Sequence, residues 1–202
     1  MPSIAITGTI GSGKSESLHL LGKTLAAFKI TSLFSADDEN RKLLNSDLAV
    51  RQAIITKLGA RCYLADGCPD KEFLFSIISS NPEALKTLEQ IMHPRIELLW
   101  RPEAKKHAKS ESSFFIAEIP LLFEKGLESL FTTTIVVACS DSVRKERLNR
   151  RSLSTEKAVG WMNLQLSQQD KITKSDHVIW NDGSHEVLKK QIDLMASQLL
   201  NT

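Results

Sequence analysis

The sequence predicts a three-layer α/β fold on a parallel five-stranded sheet, and three observations carry that expectation. Short apolar runs recur along the chain, helical patterns alternate with them, and a glycine-rich turn joins the first run to the first helix. The runs are Ile4–Thr7, Ile30–Phe34, Phe114–Ile119, Thr134–Ala138 and Val178–Trp180, all rich in β-branched or aromatic residues. Runs this apolar suit parallel strands covered on both faces, which require right-handed crossovers. Residues 15–28 carry Leu18, Leu21 and Leu25 at spacings of three and four. Residues 187–200 carry Leu188, Ile192, Met195 and Leu199 in the same way, so both segments are expected as amphipathic helices.

Residues 45–109 break the alternation. They read as helical throughout, with Leu74, Ile77 and Ile78 on one face, Leu85, Leu88 and Met92 on another, and turn signals at Asp66-Gly67-Cys68-Pro69 and Asn81-Pro82. The expected organisation is a core of residues 1–44 and 110–202 carrying a helical insertion at 45–109. No repeat or low-complexity tract separates them.

Composition narrows the function classes. The chain has 202 residues, 42% of them hydrophobic, which is enough to bury a sizeable core. Twenty-six Lys and Arg against 24 Asp and Glu leave a formal charge of +2, so no global field draws the molecule to nucleic acid or anionic lipid. Cys62, Cys68 and Cys139 form no C-x-x-C pair, which argues for a reducing compartment and against a zinc site. The start of the chain lacks a basic, apolar leader, and no run of 18 apolar residues occurs, so a cytoplasmic address is expected.

Gly8-Thr9-Ile10-Gly11-Ser12-Gly13-Lys14-Ser15 matches G-x-x-x-x-G-K-[ST], after an apolar run and before an amphipathic segment. At ordinary glycine usage, such a coincidence arises by chance in about one chain in a hundred of this length. Gly8, Gly11, Ser12 and Gly13 let backbone N–H groups close around phosphate oxygens, and the following helix points its positive end at the same anion. Lys14 is expected on the β- and γ-phosphates of ATP and the Ser15 hydroxyl on Mg²⁺. The expected fold is thus a P-loop NTPase fold, and the expected chemistry is transfer of the γ-phosphate of ATP to a small acceptor. Glu16, also in the first turn, either repels a bound triphosphate or faces solvent.

Two further clusters leave readings open on spacing alone. Asp37, after the second run, suits a base at an acceptor hydroxyl and equally a helix N-cap. Five of the eight residues from Arg144 to Arg151 are basic, with Arg147 and Arg151 one helical turn apart. They suit either a guanidinium clamp on a transferring phosphoryl group or a solvated face, and the phosphate loop favours the clamp.

The chain resembles the dephospho-CoA kinases, which phosphorylate the ribose 3′-hydroxyl of dephospho-CoA in the last step of coenzyme A synthesis. The resemblance spans nearly the whole chain. The phosphate loop is similar to the family's G-G-I-G-S-G-K-S, and Ala36-Asp37 to the end of its D-A-D. Asp66-Gly67, His93-Pro94 and Ile119-Pro120-Leu121-Leu122-Phe123-Glu124 resemble its D-G, H-P and V-P-L-L-F-E in the same order. Arg147 and Arg151 fall on its R-x-x-x-R lid, Gln165 and Lys171 on its Q-x5-K, and 176–183 on its D-x-V-I-x-N-x-G. The resemblance implies Asp37 at the acceptor hydroxyl, a helical lid at about 141–170, and Asn181 near the adenine. It also implies dephospho-CoA held by the insertion, His93 and Pro120, Leu121, Leu122 and Phe123. Three departures stand out: Ser35 replaces the first Asp of D-A-D, Thr9 replaces a loop glycine, and Lys14 to Asp37 is several residues longer than usual.

Competing readings and bland ones sit beside these. Another nucleoside or nucleotide kinase shares the same parts and differs in its acceptor. A GTP switch fits poorly, since Thr173-Lys174-Ser175-Asp176 imitates T-K-x-D without an apolar strand before it and no D-x-x-G occurs. A lapsed nucleotide-binding regulator is kept open by Ser35 and Glu16. His93 alone reads as a helix cap and Asn181-Asp182-Gly183 as a turn. His19, His107, His177 and His185 lack ligand spacing, and Trp100, Trp161 and Trp180 read as packing residues. A monomer without nucleic-acid or membrane partners is expected.

Overall fold

The computed structural model describes residues 3–108, 113–150 and 165–201. The chain divides into two compact units, residues 1–35 with 100–202, and residues 36–99.

The first unit holds the sheet. Strands β1 (Ser3–Thr7), β2 (Ile30–Ser35), β3 (Ser113–Glu118), β4 (Thr133–Ala138) and β5 (His177–Trp180) are all parallel, in the order β2-β3-β1-β4-β5. Each expected run became a strand, within a residue or two of its expected bounds. Helix α1 (Lys14–Ala26) and the C-terminal helix α8 (His185–Leu200) cover one face. Ile4, Ile6, Phe114, Ile116, Ile135, Val137 and Ile179 of the strands pack there with Leu18, Leu21 and Leu25 of α1 and Leu188, Ile192 and Leu199 of α8. Burying each such side chain contributes about 1.5–3 kcal/mol, which commits the three-and-four spacing to helix. The strand alternation sends Phe115 to the other face, where it stacks on His107 at the end of α5 (Pro82–Ala108). Trp100 of the same helix stacks on Phe131, and α7 (Gln168–Lys174) packs on β4.

The outer strands depart from the fully buried expectation. Ile30 is 73% exposed, and Val178 and Trp180 are about half exposed, because β2 and β5 each have one strand neighbour. Trp180 is therefore not a core residue. Its backbone N–H donates to Gln191 Oε1 at 3.0 Å and its carbonyl accepts from Gln191 Nε2 at 2.9 Å, so a side-chain amide from α8 occupies the open edge. Trp161 lies outside the described residues.

The second unit is helical: α2 (Ala36–Ser46), α3 (Leu48–Leu58), α4 (Lys71–Ser80) and the first part of α5. Its core joins Val50, Ile54, Cys62, Tyr63, Leu74, Ile91 and Met92. Asp47 and Asp70 cap α3 and α4, accepting from Val50 N and Phe73 N at 2.9 Å each. The Asp66-Gly67 turn is structural: Gly67 takes φ +88°, and Asp66 Oδ1 accepts from Cys68 N at 2.8 Å. Helix α5 runs through Pro94 and Pro102, so His93 lies in its interior rather than at a helix end. Each interior proline costs about 3 kcal/mol, which the burial of Ile91, Met92, Ile96, Trp100 and Ala104 along the helix offsets. Among the described residues, no helix is long and apolar enough to cross a membrane.

Candidate active site

The site sits at the carboxyl end of the sheet, where β1 lies flanked by β3 and β4. After Thr7 the chain turns through Gly8 (φ +149°), Gly11 (φ +81°) and Gly13 (φ +101°) into α1. A Cβ on Gly8 would strike the Val137 carbonyl, and one on Gly13 the Asn181 amide, so both positions require glycine twice over, for backbone and for space. Gly13 caps α1 without a side-chain hydrogen bond, which leaves the helix's first N–H groups for an anion. Ser12 Oγ is buried without a hydrogen-bond partner among the described residues, an oxygen a phosphate ligand would satisfy. Lys14 is nearly buried and donates from Nζ to the Thr9 carbonyl at 3.1 Å. Glu16 is half exposed, with Oε1 2.9 Å from His185 Nε2, so its carboxylate turns to the surface rather than into the loop.

Two arginines of α6 (Asp141–Arg150) hold the loop from outside. Arg147 donates to the Ser12 carbonyl at 3.2 Å and to the Asn181 carbonyl at 2.9 Å. Buried Arg144 donates to Thr9 Oγ1 at 3.4 Å and pairs with Asp141 at 2.7 Å. Thr9, where a glycine was expected, thereby gains an anchor in α6. Asn181 closes the group, donating from Nδ2 to the Ser12 carbonyl at 2.8 Å. Asp182 beside it accepts from Ser140 N at 2.6 Å, a bond that holds its carboxyl below the usual range. Arg151, the second expected lid arginine, lies outside the described residues, as do residues 151–164 of the expected lid.

Beneath the loop, the Ser15 hydroxyl donates to Glu118 Oε1 at 3.1 Å and the Ser35 hydroxyl to Glu118 Oε2 at 3.4 Å. Glu118 ends β3 and is 1% exposed. Of the residues that follow, Leu122 is fully buried and Phe123 8% exposed, while Pro120 and Leu121 are half-buried. In the second unit Asp37 lies exposed in the first turn of α2, and His93 is half-buried in α5.

Comparison with known proteins decides the family. The family model for dephospho-CoA kinase matches residues 3–186. The chain belongs to the dephospho-CoA kinase family. A dephospho-CoA kinase of Chlorobaculum tepidum is 30% identical over 201 residues, covering 98% of this chain and 94% of that one. Among solved structures, a protein of Thermus thermophilus superposes with a TM-score of 0.73 at 28% identity, covering 97% of this chain and 96% of its own. The dephospho-CoA kinase of Campylobacter jejuni shares the fold, with a TM-score of 0.66 at 24% identity and coverage of 98% and 97%.

Within a dephospho-CoA kinase fold, two site residues escaped the sequence reading. Glu118 passed as part of the apolar run Phe114–Ile119, although a carboxylate near the carboxyl end of such a run in a phosphate-loop protein is itself a signal for a metal-side carboxylate. Arg144 passed as one charge among five, and nothing in its spacing marks it as the buried one. Ser35 turns out to face a carboxylate instead of adding a second one at this point.

Proposed function

We propose that the chain transfers the γ-phosphate of ATP to the ribose 3′-hydroxyl of dephospho-CoA, giving coenzyme A and ADP. The observation that carries this reading is the phosphate loop whose Ser15 hydroxyl meets the buried Glu118 carboxylate, in a chain of this family. Ser15 and Glu118 offer hydroxyl and carboxylate oxygens, the hard donors that Mg²⁺ prefers, and would hold the ion. Bound there, Mg²⁺ supplies neutralising charge to the β- and γ-phosphates. Gly8, Gly11, Ser12 and Gly13 cradle the phosphates through backbone N–H groups. Lys14 leaves the Thr9 carbonyl for them, and Arg147 and Arg151 spread the charge on the transferring group. Asn181 lies toward the adenine, while Glu16, paired with His185, stays outside the phosphate contacts.

Asp37 orients the incoming hydroxyl in this reading, and His93 with Pro120, Leu121 and the packing of Leu122 and Phe123 shapes the acceptor's seat. The core, the insertion and the lid keep separate tasks: nucleotide, acceptor and exclusion of water. The working form is a cytoplasmic monomer. A coupled assay of ADP release with Mg·ATP tests the reading, comparing dephospho-CoA, adenosine, AMP and no acceptor. ADP with dephospho-CoA alone, and coenzyme A as product, is expected. ADP only with another acceptor would overturn the acceptor, and no acceptor-dependent ADP would overturn the kinase.

A further inference from the structure

Lys171 is fully buried in α7, an unusual place for an ammonium group. Its Nζ donates to Glu124 Oε1 and to the Pro120 carbonyl, both at 2.8 Å. Glu124 Oε1 accepts in addition from Leu166 N at 2.8 Å, and the Pro120 carbonyl from Thr7 Oγ1 at 3.3 Å. Next to Leu166, Gln165 Oε1 accepts from Ile10 N of the phosphate loop at 3.2 Å. These bonds form a closed circuit. It leaves the end of β1 at Thr7, passes through Pro120, Lys171, Glu124 and Leu166–Gln165, and returns to the loop at Ile10.

Stability does not account for such a pair. Desolvating two charges offsets much of their attraction, and well-packed apolar replacements of buried pairs are often neutral or stabilising. Burial indeed pushes the Lys171 ammonium below its ordinary pKa, with the Glu124 bond working against it. What two directed bonds from one ammonium supply is position. Pro120 lies two residues beyond Glu118, the partner of Ser15, so a shift of the loop after β3 shifts the carboxylate under the phosphate loop. Gln168 fixes the other side, its amide bonded to both the N–H and the carbonyl of Cys139 at 3.1 and 2.9 Å.

We propose that Lys171 is a positioning residue for phosphoryl transfer: through Glu124 and the Pro120 carbonyl it fixes the loop after β3 and the chain at Gln165–Leu166 against the phosphate loop. The proposal rests on the kinase reading above. It touches no substrate itself, so its loss shows in turnover more than in nucleotide affinity.

The test removes the pair together, Lys171→Met with Glu124→Met, which leaves no lone buried charge. Expected are a Tm no more than about 3 °C below the wild type and a kcat at least about tenfold lower, with KM for ATP changed less than about threefold. A second variant, Glu124→Gln, keeps the shape and the acceptor oxygen for Lys171 and Leu166, and is expected to hold kcat within about threefold. A stable double variant with wild-type kcat would overturn the proposal. So would an unfolded double variant, which makes the pair a folding requirement, or a loss confined to KM for ATP. A tenfold fall in Glu124→Gln at unchanged Tm would also overturn it, since charge rather than position would then matter. Wild-type protein run alongside separates the two ideas: no acceptor-dependent ADP from it refutes the kinase reading, whatever the variants do.

Discussion

Replacing Gly13 by alanine tests the loop geometry, because two separate penalties meet there. The backbone sits at φ +101°, where a side chain costs about 1–2 kcal/mol. The added Cβ would also collide with Asn181 Nδ2 and displace an amide that is 5% exposed and bonded to the Ser12 carbonyl at 2.8 Å. Losing that buried bond adds about 1–3 kcal/mol. Gly126 is the internal control: its φ is +62°, and a Cβ there meets nothing within 4 Å, so Gly126→Ala carries the backbone penalty alone. The two alanines lower the entropy of the unfolded chain alike, and that contribution cancels. Gly13→Ala is therefore expected to unfold below Gly126→Ala by about 2–12 °C, at 2–4 °C per kcal/mol for a chain of this size. Thermal unfolding followed by circular dichroism, with urea titrations to check that m is unchanged, measures the difference. Equal losses in the two variants would refute the claim that Asn181 and the loop are packed to contact.

Other outcomes follow from the same geometry. Lys14→Ala removes the loop ammonium, including its bond to the Thr9 carbonyl, and is expected to lower kcat by about a hundredfold or more while the protein still unfolds in one cooperative transition; comparing unfolding with ADP release checks both. Asp37→Asn is expected to lower kcat while leaving ATP affinity, measured by calorimetry, within about threefold. Wild-type turnover by that variant would remove Asp37 from the site. The Asp182 carboxyl is depressed by its bond from Ser140 N, so the stability it contributes is present above the unfolded carboxylate pKa and is lost as pH falls through the folded value. Asp182→Asn should accordingly lower Tm in the neutral region and flatten its fall on the acid side, the variant and the wild type converging at low pH.

The sequence by itself determined the parts that depend on local pattern. The five strands follow from apolar runs, α1 and α8 from leucines at helical spacing, and the phosphate loop from glycines whose positive φ no other residue accepts without strain. Arg147 and Asn181 were legible through motif and do meet at the loop. What the tertiary structure alone decided is which distant residues share a space. Ser15 and Glu118 are 103 residues apart, and Lys171 and Pro120 are 51 apart, and no periodicity relates either pair. The strand order brings the end of β3 beside β1, and that adjacency turns a lone carboxylate inside an apolar run into the carboxylate under the phosphate loop. Burial made the same distinction among like residues: Arg144 is indistinguishable from a surface cation in the sequence, and Lys171 is marked there only by the Q-x5-K resemblance. Only the closing of α6 and α7 on the phosphate-loop side of the sheet withdraws them from water and fixes where their donors point.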